Sequence, residues 1–249
     1  MSIEVSVRTW DGLRHLGDQP THFYLVRHGQ TAGNVKHQLI GHTDMPLDDL
    51  GLTQARQVGL HMRAVRLDAV LTSPLARARI TAGEVARHQS IDPQVDERLR
   101  EMHFGHAEGM TIAEAAERFP QILRLRDDPF DLDFQWPGGD HRRQFHDRVL
   151  ATFSELAEVH QGRNVAVVCH GGVITSLIAQ LDGGSPNDYD RYPVANCSVS
   201  HLEVHFQGTT AHRLNDFAHL DVVRTEPWTY TIPGDSAATD DQGGHGTAC

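Results

Sequence analysis

Apolar and polar positions alternate along the chain in two periods, one typical of strands and one typical of helices. Short apolar runs predict strands at residues 22–26, 69–71, 165–169, 199–204 and 211–214. Between these runs, apolar residues recur every three or four positions, which places them on one face of a helix. The sets that mark these helices are Ala55, Val58, Met62 and Val65; Leu75, Ala78, Ala82 and Val85; Ile112, Ala115 and Phe119; Phe145, Val149, Phe153 and Leu156; and Val173, Ile174, Leu177 and Ile178.

Strands that alternate with helices predict an α/β protein, here a three-layer α/β/α sandwich with a largely parallel central sheet. We assign residues 21–220 to one domain, residues 1–20 to an N-terminal extension and residues 221–249 to a C-terminal tail. From Gly234 onwards the tail contains no Leu, Ile, Val or aromatic residue. At least this part of the tail is therefore predicted to be disordered.

The composition argues against several classes of protein. A chain of 249 residues with 39% apolar and 22% charged residues fits one large or two small globular domains. The net charge of −11 argues against a nucleic-acid or anionic-membrane partner. Three cysteines without a CxxC spacing predict neither a disulfide framework nor a zinc ribbon. With no apolar run near the ~20 residues of a membrane span, and no signal-peptide core at the start, we expect a soluble cytoplasmic protein.

Two predicted strands end in a histidine followed by glycine. His28 and Gly29 follow the first strand, and His170 and Gly171 follow the strand at residues 165–169. Ligands of α/β proteins bind outside the carboxyl ends of the strands, and a helix that begins after His170 would favour an anion there. Taken alone, each pair is more typical of a structural turn.

Four segments together carry a resemblance to a known family. They read LVRHGQTAGN, TSPLARARITA, ERLREMHFGHAEGM and VVCHGG, and begin at residues 25, 72, 97 and 167. In this order they resemble the motifs of the histidine phosphatase superfamily, also called phosphoglycerate-mutase-like. The resemblance extends over roughly residues 22–220. It implies that residues 21–220 form a histidine phosphatase catalytic domain with the phosphoglycerate-mutase-like fold.

The resemblance also implies catalytic roles. His28 matches the nucleophile, which forms a phosphohistidine, and Arg27 and Arg77 match the arginines that hold phosphoryl oxygens. His170 matches the second histidine, which contacts the phosphoryl group in the transition state. Glu101 matches the general acid that protonates the leaving oxygen and later takes a proton from water. This chemistry requires neither a cofactor nor a metal.

Further positions refine this expectation. Asn34, six residues after His28, matches an asparagine that binds phosphate, and Gly171 is expected to bind phosphate as well. Glu97 and Glu108 are the other carboxylates near Glu101, and the order of the motif favours Glu101. The histidine pairs His103 and His106, and His201 and His205, lack a third ligand at a recognisable spacing, so no metal site is predicted.

The chain departs from the family pattern at two positions. Ile40 stands where some phosphatases carry a polar phosphate contact, and Ala107 stands where a bulky aromatic residue is common. The segment before His170 also contains aromatic residues that either pack beneath a lid or line a substrate-facing cap, and packing is slightly favoured. Its arginines either form surface charge or meet a second anionic group, and surface charge is favoured. The aromatic residues are Phe119, Phe130, Phe134 and Trp136, and the arginines are Arg124, Arg126, Arg142 and Arg143.

The family contains both phosphatases and mutases. Glu101 and His170 are only 69 residues apart, which is typical of the compact phosphatase branch. We therefore expect a metal-independent phosphomonoesterase, similar to histidine acid phosphatases, that hydrolyses a small phosphorylated metabolite. The alternatives are phosphoglycerate-mutase-type phosphoryl transfer and a catalytically silent phospholigand-binding module. The sequence leaves the substrate and the formation of homo-oligomers open.

Overall fold

The computed structural model describes residues 5–7, 19–185, 188 and 191–220. The segment predicted to be disordered, from Gly234, lies outside the described residues. Within them, the strands are β1 (Val5–Val7), β2 (Thr21–Arg27), β3 (Ala69–Thr72), β4 (Gln94–Val95), β5 (Asn164–Cys169), β6 (Val199–His205) and β7 (Gly208–Asp216). The α-helices are α1 (Ala32–Val35), α2 (Asp49–Met62), α3 (Ala76–Ala86), α4 (Ile112–Arg118), α5 (Arg124–Asp127), α6 (Arg142–Val159) and α7 (Gly171–Leu181).

The strands form one mixed sheet in the order β1-β7-β6-β2-β5-β3-β4. The α/β sandwich is confirmed, although parallel pairing is limited to β2, β5, β3 and β4. The pairs β2–β6, β6–β7 and β1–β7 are antiparallel. Only two residues separate β6 from β7, and a parallel pair needs a much longer crossover. The short connection therefore dictates a hairpin at this side of the sheet.

The parallel strands are buried on both faces, and successive side chains enter two separate cores. On β5, Val165 and Val167 pack in one core with residues of α6 and α7, including Phe153. Ala166 and Val168 pack on the other face with residues of α2 and α3. This two-sided burial explains why the strand is continuously apolar, and it fixes the carboxyl ends of β2 and β5 side by side.

The local signals for helices agree with the observed boundaries. Thr111 begins α4 as its N-cap, and Glu114 completes a capping box, as their spacing requires. Val65 lies beyond the end of α2, although its spacing continues the apolar face of that helix. The one-turn helix α1 has no apolar period, and Thr31 and Asn34 form its capping box. Through Asn34, this small helix contributes to the candidate active site.

The N-terminal extension contributes an edge strand, since Val5 to Val7 of β1 pair with β7. The sheet therefore begins before residue 21, although residues 8–18 lie outside the described range. Across the described ranges, every helix is too short or too polar to cross a bilayer.

Candidate active site

Parallel pairing of β2 and β5 brings the two predicted histidines together. Arg27 is aligned with Cys169, and the backbone N–H of His28 donates to the Cys169 carbonyl at 3.0 Å. The next residue on β5 is His170, so both imidazoles lie at one edge of the sheet. Their ring centroids are 5.2 Å apart. The chain thus places two buried imidazoles where ligands of α/β sheets bind.

The ring of His28 is held in one tautomer. Its Nδ1 donates to the Gly29 carbonyl at 2.7 Å, so in the neutral ring the lone pair is on Nε2. The Nε–H of Arg77 donates to this Nε2 at 3.3 Å. Burial, followed by the charges of Arg77 and Arg27, holds the pKa of His28 well below its usual range. His28 is therefore a neutral imidazole whose nucleophilic lone pair lies on Nε2, beside Arg77.

Close packing against α2 requires glycine at position 29. A Cβ at this position would lie 2.5 Å from the carbonyl oxygen of Gly51, at the first turn of α2. The Gly29 N–H donates to Oγ1 of Thr81 at 3.1 Å. A larger residue is therefore excluded here, because the helix occupies the space.

Two buried guanidinium groups flank His28. Arg27 is 6% exposed and donates from Nη1 to the Val194 carbonyl, whereas Arg77 is 1% exposed. Arg77 donates from Nη1 to the Thr43 carbonyl at 2.9 Å and from Nη2 to the Gly41 carbonyl at 2.7 Å. Burial lowers the pKa of each arginine to about 10, so both remain charged at neutral pH. The two guanidinium groups therefore give the site a positive charge that is fixed in place.

His170 is fully buried beside Ser73. Oγ of Ser73 lies 2.8 Å from Nε2 of His170, and the same oxygen accepts from the Leu75 N–H at 3.4 Å. Nδ1 of His170 has no hydrogen-bond partner among the described residues. Burial and the charge of Arg77 hold the pKa of His170 well below its usual range, so the ring is a neutral imidazole.

The carboxylate of Glu101 reaches the same site from the loop after β4. Its Oε2 accepts from the Gly172 N–H at 2.9 Å, and its Oε1 accepts from the Met102 N–H at 2.9 Å. A Cβ on Gly172 would lie 2.3 Å from Oε1, so the position allows no larger residue without displacing the carboxylate. Glu101 is therefore tied to the first turn of α7, next to the two histidines.

The other two glutamates of this segment have different environments. Glu97 is on the surface, with 65% of its side chain exposed, and pairs with Arg100 at 2.7 Å. Glu108 is used by the backbone, because it accepts from the N–H groups of His42 and Thr43 at 2.8 and 2.7 Å. Glu108 therefore holds the loop at residues 41–43, while Glu101 lines the same cavity as His28.

Asn34 and Gly171 complete the predicted set. Oδ1 of Asn34 accepts from the Thr31 N–H at 3.0 Å and from Nδ2 of Asn196 at 3.3 Å, so its own amide NH₂ remains as a donor. Gly171 is the first residue of α7, where backbone N–H groups favour an anion. Both residues line the same cavity as His28 and the two arginines.

This cavity has one polar end and one apolar wall. Its empty space is about 880 Å³, which includes the solvent at its open mouth. The polar end consists of Arg27, His28, Asn34, Arg77, Glu101 and Gly171, and the apolar wall of Leu39, Ile40, Met102, Phe104, Trp136 and Val194. His170 lies beside His28 without lining the open space.

Arg142 lies elsewhere than the sequence predicted, and the aromatic residues Trp136 and Phe130 lie in different environments. Arg142 is 4% exposed and lines the cavity, whereas surface charge was predicted. Its guanidinium is held by the carbonyls of Asp131 and Pro129, both at 2.9 Å. Trp136 is buried and lines the cavity, while Phe130 is 47% exposed. The segment at residues 129–142 thus forms part of the wall rather than a separate surface.

Sequence reasoning missed the residues that position the catalytic side chains. Ser73 lies inside the second motif, and Thr81 follows Arg77 by one helical turn in the same motif, so both carried a local signal. Asn196 donates from Nδ2 to the His28 carbonyl at 2.9 Å, and Val194 accepts from Arg27. The loop before β6, which contains both, has no motif that predicts these contacts.

Comparison with known proteins agrees with this geometry. Residues 23–217 match the model of the histidine phosphatase superfamily, branch 1, and the chain belongs to this family. The uncharacterized phosphatase PhoE of Bacillus subtilis (strain 168) is 28% identical over 179 residues, which cover 72% of this chain and 86% of that protein. The probable phosphoglycerate mutase GpmB of Salmonella choleraesuis (strain SC-B67) is 30% identical over 203 residues, which cover 80% and 94%.

Solved structures show the same fold. The crystal structure of the alpha-ribazole phosphatase from Shigella flexneri superposes with a TM-score of 0.70 at 28% identity, covering 78% of this chain and 96% of that chain. The family and these relatives identify the protein as an enzyme of the phosphatase or mutase type.

Proposed function

We propose that the protein is a metal-independent phosphomonoesterase that hydrolyses a small phosphorylated metabolite through a phosphohistidine at His28. The observation that carries the proposal is a buried guanidinium N–H beside the nucleophile. Nε of Arg27 has no hydrogen-bond partner among the residues that the structure describes, and neither has Nδ1 of His170. A buried donor without a partner is costly, and a phosphoryl oxygen would satisfy Arg27. In the tautomer with the proton on Nδ1, His170 would donate to a phosphoryl oxygen as well.

In the first step, Nε2 of His28 attacks the phosphorus atom while the bond from phosphorus to the leaving oxygen breaks. Arg27, Arg77 and Nδ1 of His170 hold the non-bridging oxygens, on which charge develops. Since Arg77 already donates to Nε2 of His28, its guanidinium lies at the position where an attacked phosphoryl group would bind. Two guanidinium charges supply the stabilisation that a metal ion supplies in other phosphatases.

Glu101 has the role of proton donor and acceptor. Protonated Glu101 gives its proton to the departing alkoxide, and the carboxylate then takes a proton from the water that attacks the phosphohistidine. That water forms a new oxygen–phosphorus bond as the bond from Nε2 to phosphorus breaks, which releases phosphate and restores His28. The contacts with Gly172 and Met102 keep the carboxylate beside the imidazoles through both steps.

The form of the cavity supports hydrolysis of a small substrate. The apolar wall with Leu39, Met102 and Trp136 provides a surface for the carbon skeleton of the leaving group. The chain between Glu101 and His170 is as short as in the phosphatase branch, which favours access of water over retention of a sugar-acid phosphate. Phosphoglycerate mutase activity remains the second candidate, since a relative with 30% identity carries that name.

Trapping the covalent intermediate tests the proposal. The wild-type protein, mixed with a panel of radiolabelled phosphometabolites and quenched at alkaline pH, should give an acid-labile phosphoenzyme, and His28→Ala should abolish it. His88→Ala, which changes an exposed histidine, is the matched control and should label normally. Labelling that persists undiminished in His28→Ala would remove His28 from the mechanism.

The same preparation separates the alternatives. Interconversion of 2- and 3-phosphoglycerate that depends on a bisphosphoglycerate primer would establish a mutase. A protein that neither labels nor turns over any substrate, but is stabilised against heat by inorganic phosphate, would be a phospholigand-binding module.

A further inference from the structure

A second group of histidines lies at the opposite end of β2 from His28. His22, His201 and His212 come from three neighbouring strands, β2, β6 and β7, and each offers a ring nitrogen within 4.8 Å of the other two. The six residues from His22 to His28 correspond to about 20 Å along a strand. The histidine cluster (His22, His201 and His212) is therefore separate from the phosphate site.

The spacing of two of these imidazoles matches that of metal ligands. Nδ1 of His22 and Nε2 of His201 are 3.2 Å apart. Two nitrogens bound to one tetrahedral Zn²⁺ at their usual bond lengths are about 3.3 Å apart. In this structure the two nitrogens share a hydrogen bond, and an ion that replaces the shared proton would need little change in the positions of the rings.

A β-bulge supplies the third histidine. His201 is aligned with Arg213 and Leu202 with Ala211, so His212 is the extra residue on β7 between these pairs. A bulge redirects the side chain of the extra residue, and here the ring of His212 stacks on His201 with centroids 4.6 Å apart. The three ring nitrogens lie within 4.8 Å of one another, so ligand distances require His212 to approach by at most about 1.5 Å. Its side chain is 41% exposed and has room to do so.

A carboxylate orients the third ring. Oε2 of Glu203 lies 2.7 Å from Nε2 of His212, and Glu203 is aligned with His22 across the β2–β6 pair. Metal-binding histidines commonly have a carboxylate on the second ring nitrogen, which fixes the ring and raises its basicity. The nearby cation, Arg213, is paired with Asp216 at 2.6 Å, which offsets its charge.

We propose that His22, His201 and His212 bind one divalent transition-metal ion, for which Zn²⁺ is the best fit, with Glu203 as the residue that positions His212. Three imidazoles leave a fourth coordination position open to solvent, and this donor set suits Zn²⁺, Co²⁺, Ni²⁺ or Cu²⁺ rather than Mg²⁺ or Ca²⁺. The site departs from the sequence-based expectation of no metal, which rested on the spacings of His103 with His106 and of His201 with His205. By joining β2, β6 and β7, the ion would stabilise the antiparallel part of the sheet.

Titration of the metal-free full-length protein with Co²⁺ tests this proposal, because four-coordinate Co²⁺ absorbs visible light and Zn²⁺ displaces it. We expect one equivalent to bind. His201→Gln and His212→Gln should weaken binding more than ~10-fold, and Glu203→Gln should weaken it by about 10-fold, the range found for carboxylates that orient ligands. His205→Gln, on the same strand but outside the cluster, is the matched control.

A thermal readout keeps the test independent of activity. Zn²⁺ should raise the Tm of the wild-type protein and of His205→Gln but not of His212→Gln, whose exposed side chain can be replaced without disturbing the core. The protein contains 18 histidines, so weak binding elsewhere is expected. Equal Co²⁺ affinity and an equal Tm shift in the wild-type protein and His212→Gln would overturn the proposal.

Discussion

The two ends of β2 each carry a cluster of imidazoles, yet their surroundings make them suitable for opposite charges. At the carboxyl end, His28 and His170 are buried beside Arg27 and Arg77, and Nε of Arg27 is a buried donor without a partner among the described residues. At the amino end, the histidine cluster is partly exposed and lies against the carboxylate of Glu203. Neutral histidine beside arginine favours an anion, whereas neutral histidine beside a carboxylate favours a cation.

Burial strengthens this difference. Water screens charges at an exposed site, whereas the buried arginines act on His28 through a medium of low dielectric constant. The arginines are in turn held by backbone carbonyls, including those of Gly41, Thr43 and Val194, so their charge is fixed in direction. The charged neighbours of each imidazole, rather than the number of histidines, therefore decide whether a site favours an anion or a cation.

The largest effect is expected from removing the charge that defines the carboxyl end. Arg77→Met should slow phosphorylation of His28 by ~10²–10³-fold, the cost of losing one fixed donor to transition-state charge. Arg77→Lys should lie between this variant and the wild type, because it keeps the charge and loses the fork. Single-turnover kinetics measures both.

Arg79→Met is the control, since Arg79 is exposed on the same helix and should behave as the wild type. Arg77 also holds the loop at residues 41–43, so stabilisation by inorganic phosphate should be measured in parallel. Phosphorylation of Arg77→Met at the wild-type rate would contradict the assigned role.

The next largest effect tests Glu101 as a proton donor. Glu101→Gln should slow the first step by ~10²-fold or more with an alkyl phosphate, whose alkoxide needs a proton to leave. With p-nitrophenyl phosphate the loss should be much smaller, because p-nitrophenolate leaves without help. Rapid-quench measurement of His28 phosphorylation is needed, since the second step also uses this carboxylate.

Glu97→Gln is the control for this comparison, because Glu97 lies four residues away and is exposed. Equal losses in the first step for both leaving groups would mean that Glu101 only positions the substrate. Glu108 would then be the next candidate for the acid, although it holds the loop at residues 41–43 and is not among the residues that line the cavity.

The sequence predicted the chemistry of the carboxyl end because its residues lie in local motifs. Arg27, His28, Arg77, Glu101 and His170 each lie within a motif, and the structure brings all five together. Their roles in catalysis are still predictions. The positions of Asn196 and Val194 could not be inferred, since both act through contacts with residues more than 150 positions away.

The amino end was not predictable for a related physical reason. His22 and His201 are 179 positions apart, and their contact depends on the register of an antiparallel pair. His212 joins them only because β7 has a bulge, which leaves no mark in the period of apolar residues. The strand pairing of the sheet has the same limit. The alternation of strands with helices predicted a largely parallel sheet, and the antiparallel hairpin of β6 and β7 was not predicted.

A smaller effect concerns stability at acidic pH. The pKa values of His28 and His170 in the folded protein lie well below 6.5, so the unfolded chain binds more protons as the pH falls from 6.5. Their contribution to stability is therefore present above pH 6.5 and is lost towards acidic pH. Each histidine should contribute a slope of up to about 1.4 kcal/mol per pH unit to the free energy of unfolding.

Urea unfolding of the metal-free protein between pH 7 and 5 measures this slope. His28→Gln or His170→Gln should reduce it, and His201→Gln should reduce it less. Burial and the neighbouring His212 and His22 lower the pKa of His201 to about 4, but solvent reaches this ring. Identical slopes in the wild-type protein and His170→Gln would show that His170 is not buried as a neutral ring.

The smallest effect on activity is expected from chelators. Their use distinguishes the phosphate site from the histidine cluster at the other end of β2 most directly. EDTA should leave kcat and KM unchanged, because Arg27, Arg77 and His170 supply the charge that the reaction needs. The same treatment of protein loaded with Zn²⁺ should lower its Tm, because it removes the ion from the histidine cluster at the other end of β2. Steady-state kinetics and thermal melting on one sample, before and after chelation, make the comparison. Activity that is lost in EDTA and restored by Zn²⁺ or Mg²⁺ would place a metal in the catalytic step and contradict a mechanism based on two arginines.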